Sequence, residues 1–165
     1  MNTLPLFYYQ PNYVDFLELS LKLNRRIFDD IIVLKNTNYP EFDSVYQHMS
    51  SNKEEFEKYC FYRFFNMLDY CKENNIQKFV YCDTDAIFLK KLDWENIIKD
   101  EECVLGVPDD QSNFLDAACS HFSIWTLKGL ESFCNFILET YKSRIDRLLP
   151  KWNYHKASFT GGGIC

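Results

Sequence analysis

The sequence predicts an α/β sandwich built on a largely parallel sheet. Three observations carry that prediction. Short apolar runs at Leu6-Phe7-Tyr8-Tyr9 and Ile31-Ile32-Val33-Leu34 flank a segment with helical periodicity, a β-α-β opening. Those runs are apolar on both faces, as strands buried in the middle of a parallel sheet are. A third run, Phe79-Val80-Tyr81-Cys82, follows the strongest helical pattern in the chain and leads into Asp83-Thr84-Asp85.

Taken in order, Leu6–Tyr9 is the first strand and Gln10-Pro11-Asn12 breaks it. Asn12 suits a helix N-cap, and Asp15 suits the first turn after it. Tyr13 to Asn24 then carries Val14, Leu17 and Leu21 on one stripe, with Phe16, Leu19 and Leu23 beside it, so a largely buried helix is expected. Ile31–Leu34 is the second strand. Residues 36–51 are polar and contain Pro40, and read as a loop over the sheet. Glu54 to Asn75 is a long helix with Phe56, Cys60, Phe64, Leu68 and Cys71 on one row, closed by Asn74-Asn75. Phe79–Cys82 is a strand, Ala86–Leu89 a short continuation, and Val104–Val107 a further strand before the acidic loop Pro108-Asp109-Asp110. Ser120–Trp125 is mixed polar and aromatic. Leu127–Leu149 reads as the last helix, and Lys151–Phe159 as aromatic loop. No repeat, linker or domain boundary interrupts the chain, so residues 1–165 read as a single domain.

Composition narrows the functional classes. The chain has 165 residues, 47% of them hydrophobic, which is enough for one domain with a core and argues against disorder. Its net charge of −6 makes nucleic acid a poor partner, because phosphate-backbone binding needs a basic face. Seven cysteines without a C-x-x-C read as small buried hydrophobes rather than a disulfide framework or a zinc site. Without a signal-peptide pattern or a long apolar run, the expectation is a soluble, cytoplasmic protein with no transmembrane segment.

The chemistry concentrates on Asp83 and Asp85. In an extended segment, residues two apart project from one face, so the two carboxylates would lie side by side. Such a pair repels itself unless a cation sits between its members. The natural cation is Mg²⁺ or Mn²⁺, which prefers oxygen ligands and commonly brings phosphate oxygens with it. The loop after the first strand, from Tyr8 to Asn12, belongs at the carboxyl edge of the sheet, where ligands of open α/β sheets bind.

The order strand, helix, strand, arginine-bearing helix, strand, Asp-x-Asp resembles the GT-A-fold glycosyltransferases. The sharpest part is Tyr62-Arg63-Phe64-Phe65 followed by Phe79 to Leu89 with its acid pair. This is similar to the R-[LF]-[LF] helix and Y-x-D-x-D strand of glycogenin-like and related bacterial and viral transferases. The resemblance implies a three-layer α/β/α sandwich and metal-dependent sugar transfer from a nucleotide-diphosphosugar, a UDP- or GDP-sugar, to a saccharide or other hydroxyl acceptor. It implies Asp85 on the metal and Asp83 on the metal through water or on the ribose. Arg63 would fork onto a carboxylate or phosphate, and Tyr8, Tyr9 and Asn12 would lie under the nucleoside, with Tyr13 also open to stacking. His121, within Ser120–Ser123, and Asp110 are the candidate catalytic groups. Many relatives continue past this point with a late metal or diphosphate ligand, often His. The Gly161-Gly162-Gly163-Ile164-Cys165 terminus therefore reads as a chain cut short.

Other readings compete. Tyr81 to Phe88 is also similar to the Y-G-D-T-D-S-[IV]-F metal motif of family B DNA polymerases. The acidic balance, the missing K-x₃-N-S-x-Y-G helix and the short chain oppose it. A haloacid-type phosphatase fits less well, because Asp85-Ala86-Ile87 lacks the expected turn after the acid. A non-catalytic nucleotide-sugar-binding fragment is the alternative outside enzymes. At residue level, Asp83 and Asp85 have a plainer reading as a solvated turn, Arg63 as a surface helix cation or a simple salt bridge, Tyr8, Tyr9 and Tyr13 as amphipathic core-edge residues, His121 as a structural histidine and Asp109-Asp110 as solvated loop.

Overall fold

The computed structural model describes residues 4–106 and 119–158. Five strands form one sheet: β1 (Leu6–Tyr9), β2 (Ile31–Leu34), β3 (Lys78–Cys82), β4 (Cys103–Gly106) and β5 (Cys119–Thr126). Their order across the sheet is β2-β1-β3-β5-β4. β1 pairs in parallel with both β2 and β3, whereas β5 runs antiparallel to β3 and to β4. The sheet is thus mixed, with a parallel β2-β1-β3 half, rather than mainly parallel throughout.

Alternation along the strands builds two cores. Phe7, Tyr9, Phe79, Tyr81 and Trp125 face one side, against α3 (Glu54–Asn74) and α5 (Leu127–Ser143). Leu6, Tyr8, Val80, Cys82 and Ile124 face the other, against α1 (Leu17–Asn24) and α4 (Trp94–Ile98). Helices therefore cover both faces of the sheet. Every residue of β1 is buried, as the doubly apolar run requires.

Several elements depart from the sequence expectation. The first helix begins at Leu17, so Asn12 does not cap it, and Tyr13, Phe16 and Leu19 are exposed. Within 36–51 a short helix, α2 (Pro40–Asp43), starts on Pro40, whose fixed φ and missing N–H suit a first helical turn. α3 ends where Asn75 takes a left-handed conformation (φ 56°), which Asn tolerates well, but Phe56 at its start is exposed. Ala86–Leu89 is not a strand. The mixed stretch before Trp125 is β5, a central strand.

The last predicted helix stops at Ser143. A 3₁₀ turn (Ile145–Arg147) and a further helix, α6 (Leu149–Ser158), follow where a loop was expected. The start of α5 is pinned twice. Thr126 caps it by accepting the Gly129 N–H at 3.0 Å, and Gly129 packs so close to Glu102 that a Cβ would stand 2.3 Å from the Glu102 carbonyl oxygen.

Candidate functional site

The carboxyl ends of β1 and β3 lie side by side, because these strands are parallel neighbours in register at Leu6–Val80 and Phe7–Tyr81. β5 runs the other way, so its beginning meets the same rim. The Asp83 N–H donates to the His121 carbonyl at 2.9 Å. Asp83, His121 and the loop after β1 are thereby gathered at one edge.

β3 ends at Cys82, and Asp83 to Ala86 forms a turn closed by the Ala86 N–H on the Asp83 carbonyl at 3.0 Å. The acid pair therefore stands in a turn beyond the strand, not on one face of an extended segment. Its two members occupy different environments. Asp83 is partly buried and fully engaged. Its Oδ1 accepts from the Tyr81 hydroxyl at 2.7 Å and faces Arg63 Nη1 at 3.4 Å, and its Oδ2 contacts His121 Nδ1. Asp85 is exposed.

Arg63 is set by α3. Its Nε donates to the Cys60 carbonyl at 2.9 Å, and its guanidinium lies against the rings of Phe64 and Tyr81, 5.1 and 5.6 Å from their centroids. The surface-cation reading fails, because only 11% of the side chain is exposed. Burial alone would lower its pKa, but facing Tyr81 and Asp83 reverses the sign, and the guanidinium stays charged. Burial, with Asp83 adding to it, pushes the Tyr81 phenol far above its ordinary range, so it remains a proton donor to Asp83. His121, by contrast, exposes 74% of its side chain while Asp83 holds one ring nitrogen.

The loop after β1 is tied to this turn. Thr84 is buried, and its hydroxyl donates to Gln10 Oε1 at 2.7 Å, while Gln10 Nε2 donates to the Asn12 carbonyl at 2.9 Å. Asn12 is exposed at the rim. Tyr9 is nearly closed off, its hydroxyl on the Asn36 carbonyl at 3.2 Å and its ring edge-on to Tyr59. Tyr8 cannot lie under a nucleoside. It is fully buried on the α1 face, where Asn24 Nδ2 donates to its hydroxyl. The alternation that points Phe7 and Tyr9 to one side sends Tyr8 to the other. Asp110 lies outside the described residues.

Sequence reasoning missed three contributors. Tyr81 stands two residues before Asp83 on the same strand face, a spacing the sequence displayed. Thr84 lay inside the motif and was passed over. Asn24 had no local signal beyond its place at a helix end. It is fully buried, donates to the Ala86 carbonyl at 2.9 Å and accepts from the Phe88 N–H at 2.9 Å. Its amide supplies the donor and acceptor that a neighbouring strand would, so 86–88 needs no strand partner.

Among the described residues no group of three or more His, Cys, Asp or Glu side chains is close enough to hold a metal alone, and no helix is long and apolar enough to cross a membrane. A divalent ion that draws most of its ligands from phosphate and water needs only one or two carboxylates. The exposed Asp85 can meet that more modest demand, whereas both oxygens of Asp83 are already engaged. Comparison with protein-family models finds no match, and comparison with curated proteins finds none either.

Proposed function

We propose that the chain is a metal-dependent glycosyltransferase domain of GT-A type, acting on a nucleotide-diphosphosugar and a hydroxyl acceptor. The observation that supports this best is the division of labour in the Asp83-Thr84-Asp85 turn at the carboxyl rim of the parallel strands. One carboxylate is locked by Arg63, Tyr81 and His121, and the other is left to solvent. Ligands of open α/β sheets bind at such rims.

In this reading Asp85 holds the Mg²⁺ or Mn²⁺ ion, with Asp83 behind it. The ion, when bound, neutralises charge on the departing diphosphate. Arg63 faces Asp83 and orients it. A cleft of about 390 Å³ lined by Thr37, Glu54, Glu55, Lys58, Tyr59 and Tyr62 opens beside Tyr9, on the side where the nucleoside would lie. Tyr13, 81% exposed, is the open ring on the loop after β1.

The acceptor oxygen attacks the anomeric carbon, and the bond from that carbon to the diphosphate oxygen breaks. The acceptor's proton passes to His121. Asp83 holds the imidazole Nδ1 and so presents Nε2 to the rim, the arrangement a general base needs.

The test is thermal melting of the parent and of Asp85→Ala with UDP or GDP, with and without Mn²⁺. The expected result is nucleotide stabilisation that requires the ion in the parent and disappears in the variant. Equal binding of nucleotide and metal by Asp85→Ala overturns the assignment.

A further inference from the structure

A cavity of about 480 Å³ lies between α3, α5 and the β4-β5 edge. A volume of this size falls in the range of small-molecule sites. Phe64, Trp125 and Phe133 form one aromatic wall, with centroids 4.9–6.0 Å apart. Leu105 closes the β4 side.

Polarity is confined to few positions. Arg63 lines the cavity and also reaches Asp83, so one side chain separates this space from the rim. Ser123 stands opposite Tyr81 in the sheet and is 1% exposed. Its Oγ accepts from Trp125 Nε1 at 2.8 Å, and its own O–H has no acceptor among the described residues. Thr140 Oγ1, in the same wall, is buried without a hydrogen-bond partner among the described residues. Buried hydroxyls left unspent are unusual, because an unmet buried polar group costs free energy.

We propose that this cavity binds the apolar body of an uncharged alcohol and delivers its hydroxyl to the Asp83 rim. The aromatic and aliphatic lining selects an apolar body. The charge balance selects the head group: Arg63 is already opposed by Asp83, and Asp85 lies two residues on, so an anionic head meets no spare cation among the described lining residues. The Ser123 O–H is available to a neutral oxygen. That the occupant is the sugar acceptor rests on the transferase reading; that the cavity takes it does not.

The test is calorimetric titration of the full chain with 1-octanol, without nucleotide or metal. The expected result is saturable one-site binding, with octanoate at least tenfold weaker. Leu105→Phe and Cys60→Phe fill the cavity from opposite walls, and each is expected to weaken 1-octanol at least tenfold while keeping the parent's near-ultraviolet circular dichroism. The absence of saturable binding in the parent overturns the proposal. So does unchanged affinity in a folded filling variant, and so does octanoate binding as tightly as 1-octanol. Concentration-dependent dimerisation that the fillings abolish, with no octanol bound, would give the cavity to a second copy and also overturn it. A parent that binds 1-octanol but shows no response to UDP and Mn²⁺ keeps the cavity assignment and removes only the transferase reading.

Discussion

The two faces of the sheet are built from the same strands but are packed differently. On the α1-α4 face, Tyr8, Phe28, Val80, Trp94, Ile98 and Ile124 are each at most 3% exposed, and Trp94 stacks on Phe28 with centroids 5.6 Å apart. On the α3-α5 face a cavity of about 480 Å³ remains between the helices and the β4-β5 edge. Both faces contribute to the rim, and among the described residues the cavity lies on the looser one. Burial on one side of a thin sheet supplies stability, and incomplete burial on the other supplies space.

The largest expected effect falls on the closed face. Phe28→Ala should cost about 3–5 kcal/mol in urea unfolding, because the emptied site is walled by rigid neighbours. Phe133→Ala, on the partly open wall of the cavity, should cost roughly half of that or less; equal losses would remove the contrast between the faces. Next is Asn24→Ala, which strands the Ala86 carbonyl and the Phe88 N–H. A loss of about 2–3 kcal/mol is expected, with hydrogen exchange at Phe88 speeding up more than exchange in β3.

Arg63→Ala sharpens the comparison at the rim. It leaves the partly exposed Asp83 carboxylate without its cation at a cost of roughly 1–3 kcal/mol, and it should weaken metal-dependent UDP binding while leaving the circular dichroism of a folded domain. Unchanged UDP affinity would detach Arg63 from the ligand site.

The smallest effect concerns the thiols. Burial pushes Cys71, Cys82 and Cys103 up to about 12, from an ordinary value of 9.0. Between those values the folded chain keeps protons that the unfolded chain releases. Stability is therefore complete below about pH 9 and should fall as pH rises towards 12. Cys82→Ala should flatten that fall slightly in a pH series of urea melts; an identical slope would mean that the Cys82 thiol does not contribute.

What the sequence disclosed follows from how local each signal is. β1, β2, β3 and α3 were legible because long apolar runs or rows admit one reading. β5 was not, because both of its faces are buried: Phe122 and Ile124 pack on one side, while Ser123 and Trp125 pack on the other, so no amphipathic alternation survives. α6 hid behind Pro150 and a mixed face, although proline fits a first helical turn. At the site, Asp83, Asp85, Arg63 and His121 could be singled out by residue type. The contact of Asp83 with His121, 38 positions along, could not. It depends on β5 being reversed, which no local pattern announced. Tyr8 was misread for the opposite reason, since its neighbours in sequence are not its neighbours across the sheet.

Gly106 pairs with Cys119, so the chain leaves the sheet and rejoins it at the edge that carries Asp83 through one backbone couple. The strands on either side are held by their own ladders whatever lies between. The reversal that brings His121 to the Asp83 rim is thus fixed from both sides of β5. A slip of one residue in either ladder would turn Ser123 and Trp125 to the opposite face of the sheet and carry His121 away from Asp83.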